Sequence, residues 1–177
     1  MKTIRRFLLI LLLSNYGLIQ AQKTYTLISQ KTEKLNKSVI TSLPPNLKAL
    51  AAFYGAMGGT NCLDQGCALT IALGLGKQGS DAQKALIKKY FPDDRAADLV
   101  LGQDCYLAPG SASAFSNFSA LSFVVSEDTV RVNYQLNVYD HGNMKIIRGP
   151  DIYIYKNQVF KNKKRVLYAW TDKSIRE

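Results

Sequence analysis

From Val130 onward, apolar side chains fall on every second residue: Val130, Val132, Tyr134, Leu136 and Val138 alternate with Arg131, Asn133, Gln135 and Asn137. A period of two over nine residues is that of an extended strand; a helix returns a side chain to the same face only every 3.6 residues. One apolar and one polar face call for a sheet packed on one side and solvated on the other, which antiparallel sheets permit. The sequence predicts further strands around this one. Phe123–Ser126 turns back through Glu127-Asp128, and Lys145–Arg148, Asp151–Tyr155 and Arg165–Trp170 follow. Asp140-His-Gly-Asn143 has the composition of a hairpin turn.

The preceding half reads as helical. Pro44-Pro45 opens a helix in which Leu47, Leu50, Ala51, Tyr54 and Met57 recur at helical spacing, and Gly58-Gly59 closes it. Residues 65–75 are apolar on all sides, the pattern of a buried helix, and they are the expected central helix of the domain. Ser80-x-x-Gln83 forms a capping box for a third helix that Pro92 ends, and Asp93 or Asp94 caps a fourth running to Leu101. Residues 106–119 are rich in small and hydroxyl side chains and read as a long connector.

Helices followed by strands predict an α+β fold. About four N-terminal helices are expected on one face of a C-terminal antiparallel β-meander of four to five strands. The expected organisation is a leader at 1–21, an irregular segment at 22–43, in which Thr24–Ile28 offers a short strand, and a single domain at 44–177.

The leader follows from Met1–Ala21. Lys2, Arg5 and Arg6 precede the apolar run Phe7–Leu13, and a more polar stretch ends at Ala21, the tripartite order of a secretory signal peptide. Seven apolar residues fall short of the ~20 that span a bilayer. Removing 21 residues from 177 leaves 156, enough for one domain with a real core. The remainder contains no apolar stretch long enough to cross a membrane, so a periplasmic or extracellular location is expected.

The formal charge is +10. With the leader's three basic residues set aside, 20 Lys and Arg face 13 Asp and Glu, an excess of seven. Such an excess suits acidic surfaces and solubility alike. Lys161, Lys163, Lys164 and Arg165 are its densest cluster, read as a solvated loop beside a strand. Outward-facing Tyr153 and Tyr155 next to that loop would make an amphipathic binding patch; inward-facing, they would be core. No aromatic interleaving suggests base stacking, so no nucleic acid is expected as partner.

Three cysteines, Cys62, Cys67 and Cys105, allow one disulfide in an oxidising compartment, and the sequence leaves all three pairings open. One histidine and three scattered cysteines give no zinc spacing, and no metal or cofactor is expected. Cys67 lies near the start of its helix, where the dipole favours thiolate. His141, then Asp151 and Asn157, follow in the β half. This order of Cys on a helix, then His, then Asp or Asn is similar to that of papain-like cysteine hydrolases. The resemblance implies Cys67 as nucleophile, His141 as base and Asp151 as its orienting partner. The leading expectation is instead an exported, non-catalytic binding or envelope-associated domain whose partner is a protein, a glycan or a small apolar ligand.

Overall fold

The structure, a computed structural model, describes residues 22–57, 65–101, 114–140 and 143–166. Among these residues the chain runs β1 (Lys23–Ile28), α1 (Lys37–Thr41), α2 (Pro45–Met57), α3 (Gln65–Ala72), α4 (Asp81–Tyr90) and α5 (Arg95–Leu101). It continues through β2 (Ala114–Ser126), β3 (Thr129–Asp140), β4 (Asn143–Arg148), β5 (Asp151–Lys156) and β6 (Val159–Lys164). The class is α+β, but the expected layout is corrected. The sheet has six strands, the first of which precedes every helix, and the described helices number five. All neighbouring strands are antiparallel, in the order β1-β2-β3-β5-β6, with β4 also on β3.

The helices begin where side chains satisfy their free N–H groups. Asn36 accepts from the Val39 amide, Ser80 from the Gln83 amide and Asp94 from the Ala96 amide. The capping-box glutamine does more than the motif asks. Gln83 Oε1 accepts from the Gly79 amide at 2.7 Å, while its Nε2 donates to the Ala52 carbonyl and to Thr70 Oγ1. One buried amide therefore ties α4 to both α2 and α3.

The central helix is α2, not residues 65–75. Ala49, Leu50, Ala51, Ala52, Phe53 and Tyr54 are all fully buried, whereas Ile71 of α3 is 59 % exposed. Alanines spaced around α2 let the sheet and two helices approach from every side. An all-apolar sequence made α3 look just as deep, because hydrophobicity does not report whether a neighbour is present.

Strand β3 organises the sheet. Its inner residues Val130, Val132, Tyr134 and Leu136 are buried as the alternation predicts. Glu127-Asp128 joins β2 to β3 with Ser126 opposite Thr129, also as expected. On the other side of β3, Asp140 pairs with Asn143, Gln135 with Arg148, Val132 with Asp151 and Thr129 with Ile154. The register is unchanged from β4 to β5, so the two are halves of one strand interrupted at Gly149-Pro150. The Gly149 amide keeps its ladder bond to the Tyr134 carbonyl at 3.1 Å, while Pro150 has no N–H to offer.

Three local expectations change. Residues 114–119 belong to β2 and not to a connector; their small side chains hid a strand that β3 completes. The segment 22–43 contains β1 and α1. Residues 156–165 are no loop, and β6 is Val159–Lys164, not Arg165–Trp170, of which 167–170 lie outside the described residues. Asn157 and Gln158, with φ of 53° and 63°, form a two-residue hairpin turn with both central residues left-handed. Without a glycine this turn gave no compositional signal.

Gly149 is irreplaceable for a steric reason. A Cβ there would stand 2.7 Å from Tyr134 Cε1 and 2.9 Å from the Val132 carbonyl. Gly149→Ala is expected to lower stability by about 1–3 kcal/mol, the usual cost of forcing an atom into a filled core. Urea denaturation should show this as a lower midpoint with an unchanged slope.

Candidate functional site

Two sets of polar groups stand out on the two faces of the sheet. The inner set is a closed network. Tyr54 of α2 donates its hydroxyl to Asp151 Oδ2 at 2.5 Å, and Tyr134 donates to Asp151 Oδ1 at 3.2 Å. The Val166 amide donates to the same Oδ1, and the Tyr54 and Tyr153 hydroxyls lie 3.2 Å apart. Arg165 Nε donates to the Tyr153 hydroxyl at 2.9 Å, while its Nη1 and Nη2 hold both carboxylate oxygens of Asp94. The Arg165 side chain is 1 % exposed and its guanidinium lies over the rings of Phe53 and Tyr153.

Burial dominates the electrostatics of this network. It raises the Asp151 carboxyl above its ordinary value, against the opposing pull of the bonds from Tyr54, Val166 and Tyr134 and of the Arg165 charge. It also pushes Tyr54 well above the usual phenol range, helped by Tyr153 and Asp151. Arg165 is desolvated, but its bonds to Asp94 together with its electrostatic attraction to Tyr153, Asp94 and Tyr54 outweigh that and hold it charged. The geometry is that of an anchor joining α2, β3, β5, α5 and the chain after β6.

The outer set lies on the opposite face and is half-buried, with Arg131 exposed. On β3 the residues Arg131, Asn133, Gln135, Asn137 and Tyr139 point away from the helices, by alternation with the buried ones. Asn137 faces Asn117 of β2 and Ile146 of β4, while Gln135 faces Arg148. The side-chain oxygens of Asn117 and Asn137 are both buried and have no hydrogen-bond partner. Arg148 Nε donates to Gln135 Oε1 at 3.1 Å, and Arg131 Nε to Asn133 Oδ1 at 3.0 Å.

Next to this row lies a groove of about 330 Å³, lined by Thr26, Ser122, Asn133, Gln135, Arg148 and Gly149 among others. Three irregularities sit beside it. The registers of β1 and β2 shift at Thr26/Ile28 and Phe118/Ala120, and the β4–β5 strand breaks at Gly149-Pro150. Bulges bend strands and re-aim their side chains, so these breaks dent an otherwise regular face.

The residues singled out by sequence fall elsewhere. Tyr153 is fully buried and Arg165 is locked in the network, which removes both from the proposed patch. Pairing fixes this: Tyr153 is opposite Val130 and so faces inward. Tyr155 is half-buried between Tyr90 and Phe160, and only Lys161, Lys163 and Lys164 of that group are exposed. Cys67 is in the first turn of α3, but its side chain lies outside the described residues, as do Cys62, Cys105 and His141. Asp151 is committed to the inner network. Its partner Val132 lies eight residues, about 26 Å, along β3 from Asp140.

The alternation had marked the β3 half of the outer row as solvated. Asn117, Ser122 and Arg148 join it only through pairing across the sheet. No helix among the described residues is long and apolar enough to cross a membrane. No known protein family, curated protein or solved structure matches this chain.

The raised carboxyl makes a pH prediction. A group that binds its proton more tightly when folded stabilises fully below its unfolded pKa, here about 3.8, and loses that contribution as pH rises through its folded value. Asp151→Asn should therefore flatten the pH dependence of stability in that window, which a series of denaturation curves from pH 3 upward would read directly.

Proposed function

We propose that the chain is an exported binding domain that takes a polar, hydroxyl-rich ligand of the glycan class on the outer face of its sheet. One observation carries this reading: the unpartnered oxygens of the cross-strand pair Asn117 and Asn137. A buried acceptor without a donor costs about 1–3 kcal/mol, and native proteins keep few of them. Two lie opposite each other on the outer face, beside a groove lined by Thr26, Ser122, Asn133, Gln135 and Arg148 together with Ile28, Ala120 and Leu121, and rotation of either amide would turn its oxygen toward an incoming donor. Sugar hydroxyls supply donors, and Tyr139 on the same face, partly exposed, has a ring on which an apolar sugar face could rest.

The reading favours the glycan among the expected partners. The groove sets Thr26, Ser122, Asn133, Gln135 and Arg148 beside Ile28, Ala120 and Leu121, a mixed lining that suits an amphipathic sugar better than a wholly apolar ligand. Export through the leader at 1–21 is part of the proposal. Protein recovered from the secreting host should begin at Gln22, and N-terminal sequencing would establish whether it does.

The two roles of the asparagines separate in one variant. A structural Asn137 would make Asn137→Val destabilising. A ligand-facing one makes it neutral or stabilising, since an unsatisfied acceptor is removed from a strand and replaced by a good strand former. Thermal unfolding should thus show an equal or higher midpoint, with binding on an oligosaccharide array weakened at least fivefold. Unchanged binding, or no oligosaccharide bound at all, would remove the reading.

A further inference from the structure

The outer face has a charge pattern as well as a hydrogen-bonding one. Strands β1, β2, β4 and β6 contain no Asp or Glu. In β5 the single acid, Asp151, is turned inward, and in β3 the single acid, Asp140, is its last residue. The described acidic residues otherwise lie in loops, turns and helices: Glu33, Asp81, Asp93, Asp94, Asp98, Glu127 and Asp128. The outward positions meanwhile carry Arg131 and Arg148 on neighbouring strands, with Lys161 beyond them on β6, opposite Ile154.

The two arginines are held but not neutralised. Each has its Nε fixed by an amide oxygen two residues along or directly across the sheet, and neither has a carboxylate partner among the described residues. Gln135 thus aims the Arg148 guanidinium and leaves both terminal nitrogens for something else. A planar guanidinium with two parallel donors matches a carboxylate better than any neutral group. Arg148 also lines the groove, one residue pair from Asn137 on the same face.

Resting on the glycan reading above, we propose that the ligand is an acidic glycan, with a uronate-type carboxylate seated on the exposed Arg148 and its neighbouring hydroxyls lying over the amide row of β3. The pattern separates two tasks. Arg148 selects the charge, and the amide row reads the sugar. Lys161, Lys163 and Lys164 on the edge strand add attraction at longer range without geometry, as solvated point charges.

Titration calorimetry with the mature protein tests this using decagalacturonate and its fully methyl-esterified form, which share a backbone and differ in that each carboxylate becomes a neutral methyl ester. The acid should bind at least tenfold more tightly than the ester, and the gap should narrow with salt. Arg148→Gln should remove most of that gap by weakening the acid far more than the ester, with the melting temperature unchanged. Equal binding of acid and ester would overturn the charge assignment and leave the glycan reading standing; binding of neither would overturn both. If inorganic polyphosphate of equal charge bound as tightly, or if Lys161→Gln with Lys163→Gln and Lys164→Gln closed the gap while Arg148→Gln did not, the site would be a diffuse polyanion surface and the proposal would be wrong.

Discussion

The carboxylate of Asp151 is the point on which the rest of the molecule hangs. A carboxylate in a protein interior is tolerable only when its oxygens are met by donors, and here the donors arrive from three places in the chain. Tyr54 brings the central helix, Tyr134 the middle of β3, and the Val166 amide the end of the described chain. Arg165, linked through Tyr153, adds the start of α5 by way of Asp94. Helix position, strand register and the path after β6 are therefore mutually dependent. Buried ionic groups of this kind are weak contributors to net stability, since desolvation offsets most of their attraction. Their effect is to penalise every arrangement in which one donor is missing, so the network specifies this packing more than it strengthens it.

The aromatic core is built around the same residues. Tyr54 contacts the rings of Phe118, Phe123, Tyr134 and Tyr153, and Phe91 stacks between Phe53 and Phe160. Edge-to-face and offset contacts of this type add about 0.5–1.5 kcal/mol each beyond buried area. With polar tips bonded inside an apolar shell, the described inner network is closed on itself. The outer face is the opposite: the side-chain oxygens of Asn117 and Asn137 lack partners, and Arg131 and Arg148 lack counter-charges among the described residues. Satisfied polarity within and unsatisfied polarity without is the physical asymmetry from which the binding proposal arises.

What could be read from the residues was local. Ser80 with Gln83, and Asp94 before α5, announce helix starts because a cap is a contact between residues two or three apart. The alternation at 130–138 announces β3 because burial on one face writes a period of two directly into the chain. Long-range choices left no such mark. Tyr153 could have faced either way until Val130 became its neighbour, and residues 114–119 were no strand until β3 stood beside them. The Asn157-Gln158 turn escaped notice because its left-handed residues are not glycines. The outer groove and its pair of asparagines were half visible, as the polar stripe of one strand.

The sequence by itself determined the mixed α+β class, the caps of its helices and the two faces of β3, all of which depend on neighbours within a few residues. Only the tertiary structure decided which helix became central, that β4 and β5 continue one strand, that Asp151, Tyr153 and Arg165 are interior groups, and that Asn117, Asn137 and Arg148 share a surface. Each of those facts is a contact between distant segments, fixed by a register that closes only when the buried carboxylate and the aromatic core are satisfied together, and no local pattern of residues encodes it.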